Sequence, residues 1–160
     1  MDKPRSALEL DQKGIDYRLV AHPNTAHTAA DAAREIGLEL GQIVKSLLAE
    51  GHRHPPVLLL VPGDRQVHFG RLGKILGDKS IFLCSPQRTL EVTGYPVGLV
   101  TPFGLKSRLD IMAETSVLAK GKVGVSSGSW GAEIVISVSD LISATGATAA
   151  SFLKEKTPLQ

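Results

Sequence analysis

The apolar residues of this chain recur at two different spacings, which together predict short helices interleaved with short strands. Residues 6–13, which precede Gly14, have the spacing of a short amphipathic helix. Residues 15–21 alternate as the residues of a half-buried strand do, and the His-Pro-Asn sequence at 22–24 ends that strand. The chain is therefore predicted to open with a helix followed by a strand.

Capping residues predict where the later helices begin and end. Thr28, followed three residues later by Asp31, resembles a capping box, and Ser85 precedes a proline at a first helical position. The predicted helices, each ended by a glycine, cover residues 29–36, 69–76 and 86–93. Near the C-terminus, Ser139 or Asp140 is predicted to cap a final helical turn through residues 142–143.

The other apolar runs predict five strands, over residues 43–49, 57–61, 81–84, 123–125 and 133–138. Residues 50–56 join the first two strands, and they are too few for a crossover between parallel strands. A mixed sheet with flanking helices therefore fits better than a doubly wound parallel sheet. No internal repeat or flexible linker divides the sequence, so we expect one domain over residues 1–160, with a frayed tail from residue 154.

The composition excludes several classes of protein. The 160 residues are 42% hydrophobic and 21% charged, which is ordinary for a globular chain and unlike a disordered one. The net charge of +2 gives no reason to expect nonspecific binding of nucleic acid through bulk charge. The longest strongly apolar run, residues 57–61, is far too short to cross a bilayer, and no apolar segment follows the polar N-terminus. We therefore expect a soluble protein without a membrane partner, and because one cysteine leaves no disulfide framework, the reducing cytoplasm is the expected compartment.

Metal-ligating and nucleophilic residues give little support for a metal site or a reactive thiol. The five histidines fall in separate turns and in the predicted hairpin loop, at His22, His27, His52, His54 and His68. No cysteine lies near them and no HExxH sequence is present. Cys84, the single cysteine, excludes an internal disulfide, and its apolar neighbours favour a small buried residue. We expect neither a metal nor another cofactor.

Lys45 is the residue whose position is most informative for function. If residues 43–49 form a strand, Ile43, Lys45 and Leu47 share one face, and the lysine lies among apolar neighbours. A lysine in such a setting is rarely buried without a partner or a task. If the segment is instead a helix, its apolar residues form a buried stripe and Lys45 points to water. The pattern alone favours neither arrangement.

Residues 93–104 form a second candidate feature, because three glycines and two prolines fall within twelve residues. Glycine allows positive φ and close approach of the backbone, while proline fixes its own φ, so the segment is a shaped loop. Exposed amides in such a loop are suited to bind an oxyanion, a carboxylate or a phosphate. The alternative is a pair of tight turns between core strands. A loop of small residues at 126–131, with Trp130, either floors a pocket or covers the core.

Several short segments carry a stronger signal together than any of them carries alone. They are Thr-Ala-Ala-Asp-Ala-Ala at 28–33, Gln-Ile-Val-Lys-Ser-Leu-Leu at 42–48, Val-Pro-Gly-Asp-Arg at 61–65, the loop at 93–104, Ser-Gly and Trp-Gly at 127–131, and Asp-Leu at 140–141. Their residues and their order resemble the YbaK/prolyl-tRNA-synthetase-associated family of aminoacyl-tRNA editing domains, over about residues 7–146.

This resemblance implies a single α+β domain with a mixed, barrel-like sheet and helices outside it. It implies a free-standing enzyme, without a cofactor, that hydrolyses the ester between a wrong amino acid and the 3′ adenosine of a tRNA. The expected partners are the mischarged tRNA and an aminoacyl-tRNA synthetase. The alternative within the same fold is a non-catalytic module that binds tRNA or a synthetase.

The resemblance also implies roles for individual residues. Lys45 is expected on a strand at the terminal adenosine and the reactive ester, while the loop from Gly98 to Pro102 supplies backbone amides. The ribose 2′-hydroxyl of the substrate is expected to assist the attacking water. The residues expected to be catalytic are Lys45, Gly98 and Pro102. The residues expected to bind substrate are His22, Thr28, Ser46, Tyr95, Val97, Leu99, Thr101, Ser127, Gly128 and Asp140.

Some residues depart from the family pattern or extend it. Leu99 stands where many relatives have a second glycine, and the loop with Trp130 lacks the histidine of some alanine-specific relatives. The amino acid that is removed is therefore not carried over from the family.

Because the net charge is small, tRNA would have to meet a local rim of basic residues. The alternative is that these residues form an ordinary solvated surface. The candidates for that rim are Arg65, Arg71, Lys74, Lys106 and Arg108.

Overall fold

The computed structural model of the protein describes residues 3–22 and 28–156. The helices of this part of the chain are α1 (Arg5–Gln12), α2 (Ala29–Ile36), α3 (Phe69–Leu76), α4 (Pro86–Thr93), α5 (Thr115–Leu118) and α6 (Val138–Thr145). Its strands are β1 (Arg18–Ala21), β2 (Ile43–Glu50), β3 (Val57–Pro62), β4 (Phe82–Leu83), β5 (Asp110–Glu114), β6 (Lys122–Ser126), β7 (Ala132–Ser137) and β8 (Thr148–Ala150). The predicted break at residues 23–24, His27 and the end of the predicted tail at 157–160 lie outside the described residues.

The eight strands form one mixed sheet, as the sequence predicts. The strand order is β1-β7-β6-β2-β3-β5-β8, and the short β4 pairs with β2 away from this path. β2 and β3 are antiparallel, which confirms the tight connection between them. β2 and β6, β3 and β5, and β5 and β8 are parallel pairs, and longer segments of chain connect them.

Side-chain caps and glycines fix most helix ends where the sequence predicts them. The hydroxyl of Thr28 accepts a hydrogen bond from the amide of Asp31, and that of Ser85 accepts one from Arg88. α2, α3 and α4 each end at a glycine in the left-handed conformation. No helix in residues 3–22 and 28–156 is long and apolar enough to span a bilayer.

The predicted start of the last helix is wrong. Its N-cap is Ser137, whose hydroxyl accepts from the amide of Asp140 at 3.1 Å, so neither Ser139 nor Asp140 is the cap. The helix follows β7 directly, and no turn-forming residue marks the junction. β1 and β4 are also shorter than predicted, and β5, α5 and β8 are not predicted at all. Residues 110–115 mix charged and apolar side chains without a clear period, which hides the boundary between β5 and α5.

The core lies on both faces of the central strands. In β3, Leu58 and Leu60 belong to one buried cluster, while Val57, Leu59 and Val61 belong to a second cluster on the other face. Every residue of β3 is buried, which explains its continuous apolar sequence. Cys84 is buried in the first cluster, where burial and nearby Glu50 raise the pKa of its thiol to about 12. This confirms the expected small buried residue.

Asp78 fastens the β2–β3 connection to the turn after α3. Its carboxylate accepts hydrogen bonds from the amides of Arg53 (2.9 Å), His54 (3.0 Å) and Ser80 (2.8 Å). The hydroxyl of Ser80 donates a further bond at 2.5 Å. These donors, with those of Ser80 first, hold the pKa of Asp78 well below its usual range.

We expect Asp78→Ala to lower the melting temperature by several degrees, because four donors lose their acceptor. The sign of the pH dependence follows from the lowered pKa. The stabilisation is complete above the unfolded pKa of about 3.9 and is lost as the pH falls towards the folded value. Thermal unfolding between pH 7 and pH 2 measures both effects. Asp110→Ala, at an exposed carboxylate, is the matched control, and equal melting temperatures for the two variants would contradict the expectation.

Candidate active site

A cavity of about 270 Å³ opens where β2 changes its neighbour in the sheet. β2 pairs with β6 only at residues 43–44 and with β4 only at residues 49–50. Between these pairings, residues 45–48 have no strand partner on this edge within the described part of the chain. The cavity lies beside this interruption, and five consecutive residues of β2, 43–47, line it.

The other walls come from segments that are distant in sequence. They are the start of α2, residues 97–100 of the glycine- and proline-rich loop, the loop at 126–131, and the β1–β7 pair with its extension to His22. The structure therefore brings seven predicted site residues to one cavity. These are His22, Thr28, Lys45, Ser46, Val97, Gly98 and Leu99.

Lys45 lies on a strand, which decides between the two arrangements that the sequence allows. Its side chain is half-buried, and its Nζ donates a hydrogen bond to the carbonyl of Arg65 at 2.8 Å. Burial lowers the pKa of the Lys45 ammonium, and the charge of Asp64 partly opposes that effect. A partly desolvated cation thus borders the cavity, where it interacts more strongly with an anion than a surface lysine would.

Gly98 presents open backbone to the cavity. Its φ is 92°, and a Cβ added there would meet nothing within 4 Å. The amide of Leu99 closes a tight turn by donating to the carbonyl of Pro96 at 3.0 Å. The amide of Gly98 donates to no acceptor in the described residues, so it is available to a ligand. The loop therefore combines the tight turn of one sequence-based alternative with the exposed amide of the other.

Tyr95 and Gly128 support this loop from behind and do not line the cavity. The buried Tyr95 donates its hydroxyl hydrogen to the carbonyl of Phe103 at 2.7 Å, and the guanidinium of Arg5 lies 4.6 Å from its ring centre. Gly128, with φ of 85°, packs on the same ring, where any Cβ would overlap Tyr95. These contacts fix the position of the segment that carries Gly98.

The remaining predicted site residues also lie outside the cavity. Thr101 and Pro102 are buried behind the loop, and Ser127 is buried beside it, with its hydroxyl donating to the carbonyl of Ser129 at 3.1 Å. Asp140 lies in the first turn of α6, where its amide meets the Ser137 cap. Pro102 instead borders a separate groove. None of these four residues faces the cavity.

Glu133 is a cavity residue that sequence reasoning misses. Its Oε1 lies 3.6 Å from Nε2 of His22, and the His22 side chain is only 3% exposed. Burial raises the pKa of Glu133, and the neighbouring His22 opposes that effect. The available signal is a lone carboxylate in the otherwise apolar strand that follows the 126–131 loop.

Trp130 and Val97 form an exposed apolar lip at the cavity, with 54% and 55% of their surfaces accessible. Behind them, the hydroxyl of Ser126 donates to the carbonyl of Leu99 at 3.1 Å and accepts from the amide of Gly128 at 3.0 Å. This serine joins the two loops that form the lip. Trp130 therefore lines the cavity and does not cover the core.

The profile of the aminoacyl-tRNA editing domain matches residues 22–144, which include every cavity-lining segment described above. The chain belongs to this family. The resemblance inferred from the short sequence segments is thereby confirmed.

Similar proteins carry names from the same area of chemistry. The chain is 36% identical over 107 residues to a proline–tRNA ligase of Thermosipho melanesiensis, a match that covers 67% of this chain and only 18% of the ligase. It is 26% identical over 118 residues to a candidate Cys-tRNA(Pro)/Cys-tRNA(Cys) deacylase, EbsC, of Enterococcus faecalis, covering 74% and 72% of the two chains.

A solved structure confirms the expected fold. The crystal structure of a candidate trans-editing enzyme for prolyl tRNA synthetase superimposes with a TM-score of 0.87 at 28% identity. The match covers 94% of this chain and 96% of that chain. The editing-domain fold is therefore the fold of this protein, as the mixed sheet with outer helices predicts.

Four of the five basic residues predicted to form a rim fall into two pairs in this editing domain, whereas the fifth, Lys74, is exposed on α3 and lines neither the cavity nor the groove that Pro102 borders. The guanidinium of Arg65 donates to the carbonyl of Lys154 at 2.7 Å, and that of Arg71 donates to the carbonyl of Leu153 at 3.1 Å, so both hold the C-terminal segment. Lys106 and Arg108 are exposed and line the groove of about 400 Å³ that Pro102 borders. Only the second pair is placed on a concave basic surface beside the glycine-rich loop.

Proposed function

We propose that this protein is an aminoacyl-tRNA deacylase that acts in trans and hydrolyses the ester of a mischarged tRNA. The observation that carries the proposal is the meeting of the Lys45 ammonium and the free Gly98 backbone in one cavity of an editing domain. A cavity of this size is at the low end for ligand sites. It suits the aminoacyl end of a tRNA, while the rest of the nucleic acid stays outside.

The chemistry required of such a site is modest. An aminoacyl ester is already activated, so orientation and stabilisation of the developing oxyanion can supply much of the acceleration. In the proposed reaction, water attacks the ester carbonyl, whose oxygen is stabilised by the amide of Gly98. The ribose 2′-hydroxyl assists the water, and the bond to the 3′-oxygen breaks as that oxygen takes up a proton. Lys45 holds a phosphate or ester oxygen of the substrate as a point charge.

A panel of mischarged tRNAs tests the function directly. Purified protein is incubated with tRNA acylated with each of several small amino acids, and loss of the ester is compared with spontaneous hydrolysis. We expect accelerated hydrolysis of at least one noncognate ester. If the protein binds tRNA but accelerates the hydrolysis of no ester, the alternative of a non-catalytic binding module is favoured over the enzyme. The same panel identifies the amino acid, because an apolar pocket discriminates by only about 1–3 kcal/mol per methylene.

The proposed partners are the mischarged tRNA and an aminoacyl-tRNA synthetase. The match to 18% of a proline–tRNA ligase supports the second partner, because the related segment there is part of a synthetase chain. Addition of purified prolyl-tRNA synthetase to the deacylation assay measures whether the two proteins act together.

Salt dependence tests whether Lys106 and Arg108 meet the tRNA backbone. We expect the affinity for tRNA to fall linearly with salt on logarithmic axes, because bound phosphates release counterions. Replacing both residues by glutamine should reduce the slope by about one or two units. Glutamine at the exposed Lys79 and Lys154 is the control, since these residues line neither the cavity nor the groove. Equal slopes for the two double variants would exclude the groove as the contact.

A further inference from the structure

Three polar side chains occupy one cross-strand row on the cavity face of the sheet. Val44 pairs with Val125 in the parallel β2–β6 ladder, and Ser126 pairs with Glu133 in the antiparallel β6–β7 ladder. One step beyond the first pair, Lys45 therefore falls in the row of Ser126 and Glu133. Val44 and Val125 face the first core cluster, so these three residues face the other side, towards the start of α2.

The row carries a cation at one end and a carboxylate at the other. β6, which carries Ser126, lies between the strands that carry Lys45 and Glu133. Within the described lining residues, Glu133 is the sole carboxylate and Lys45 the sole side chain that is cationic whatever the state of His22. The cavity is otherwise mostly apolar, and a charge buried in such surroundings is costly unless it has a partner.

His22 gives Glu133 only part of what a buried carboxylate requires. The distance of 3.6 Å between Nε2 and Oε1 is beyond the range of a good hydrogen bond. The Glu133 side chain retains 15% of its exposure and lines the cavity, so the carboxylate is reachable from inside it. A cationic group that enters the cavity would find an incompletely satisfied acceptor there.

We propose that Glu133 binds the α-ammonium group of the aminoacyl moiety, while Lys45 binds the anionic or ester side of the same substrate. This inference rests on the proposed function, whose substrate carries a primary ammonium next to the ester. The bipolar row then sets the direction in which the aminoacyl end enters. It also makes the cavity selective for free aminoacyl esters over acyl esters that lack the charge, because a charged hydrogen bond is replaced by an unpaired carboxylate.

The binding of two non-hydrolysable analogues of the aminoacyl-adenosine end tests whether Glu133 binds the ammonium group, and it does so without turnover. The probes are 3′-alanylamino-3′-deoxyadenosine and its lactyl counterpart. Both carry an amide in place of the labile ester, and the lactyl probe has a hydroxyl where the alanyl probe has its ammonium group. Fluorescence of Trp130, the single tryptophan and a lining residue, reports the titrations. We expect the wild-type protein to bind the alanyl probe at least about 10-fold more tightly than the lactyl probe.

Glu133→Gln should bring the affinities for the two probes within about 2-fold of each other, mainly because the binding of the alanyl probe becomes weaker. Glu35→Gln, at an exposed carboxylate of α2 outside the cavity, should leave the ratio unchanged. If the His22–Glu133 pair is only structural, Glu133→Gln will lower the affinity for both probes equally. That result would overturn the proposal. Equal wild-type affinities, or no binding of the alanyl probe at millimolar concentration, would also overturn it.

The outcome is separable from that of the proposed function. If the protein hydrolyses mischarged tRNA but binds the two probes equally, the deacylase proposal is retained and the ammonium site is rejected. Selective binding of the alanyl probe without hydrolysis of any ester keeps the ammonium site and removes the deacylase.

Discussion

Lys45→Ala is expected to lower the rate of deacylation by at least about 100-fold and to leave the fold intact. Among the described residues, the ammonium beside the cavity donates one hydrogen bond, to the carbonyl of Arg65, and burial already lowers its pKa. Removing a partly desolvated charge of this kind costs little stability, whereas a substrate anion loses its point-charge partner. Single-turnover hydrolysis and thermal unfolding of the same samples measure the two effects.

Two variants control this prediction. Lys45→Arg should restore little activity, because a planar guanidinium does not replace a compact ammonium. Lys79→Ala, at an exposed lysine, should have no effect on rate. If Lys45 only holds the segment around Arg65 through the hydrogen bond to its carbonyl, Lys45→Ala will instead lower the melting temperature and spare the rate, which would remove Lys45 from the mechanism.

The lowered pKa of Lys45 also gives a pH dependence with a defined sign. In the alkaline range between the folded pKa and about 10.4, the unfolded chain binds more protons at this site than the folded chain does. The free energy of unfolding of the wild-type protein should therefore rise with pH relative to that of Lys45→Ala. A relative fall over this range would contradict the burial of the ammonium.

Gly98→Ala is expected to lower the deacylation rate by about 10²–10³-fold, the effect of losing one oxyanion donor. The space beside Gly98 is open, so the methyl group meets no neighbour within 4 Å. The cost arises because φ of 92° is unfavourable for alanine, and relaxation of the backbone turns the amide away from the cavity. Rates measured under single-turnover conditions separate this loss from slow product release.

Gly77→Ala is the matched control for that loss. Gly77 has φ of 72° at the end of α3, and a Cβ added there also meets nothing within 4 Å. Both substitutions should destabilise the protein by about 1–2 kcal/mol, since alanine is strained at both sites. Only Gly98→Ala should slow the reaction, and equal rates for the two variants would exclude the Gly98 amide from catalysis.

The elements that the sequence predicts well are those whose ends are set by capping residues and glycines close by in the chain. α2 and α3 match the predicted spans because Thr28, Gly37 and Gly77 act on their own neighbours. β5 and β8 are held instead by parallel pairing to strands far away in the chain, which leaves no local turn signal. The junction of β7 with α6 fails for a related reason, because Ser137 serves as strand residue and cap at once.

The site divides in the same way. Lys45 and the Gly98 loop could be singled out because each is unusual within its own segment, but only the family resemblance placed Lys45 on a strand, since the pattern alone left strand and helix open. Glu133 could not, because its role depends on the interrupted pairing of β2 and on the approach of His22 from β1. Thr101 and Ser127 stand within recognisable segments, yet the backbone turns them inward, behind the cavity.

The interruption beside residues 45–48 places part of the cavity wall where the pairing of the sheet does not depend on it. The backbone bonds that retain β2 are made along β3 and at the two ends of the gap, so they do not depend on the side chains that line the cavity. Exchanges at the half-exposed Val97 alter the shape of the cavity mouth at little risk of unfolding. A domain built in this way can diverge in selectivity by point substitution while its architecture persists.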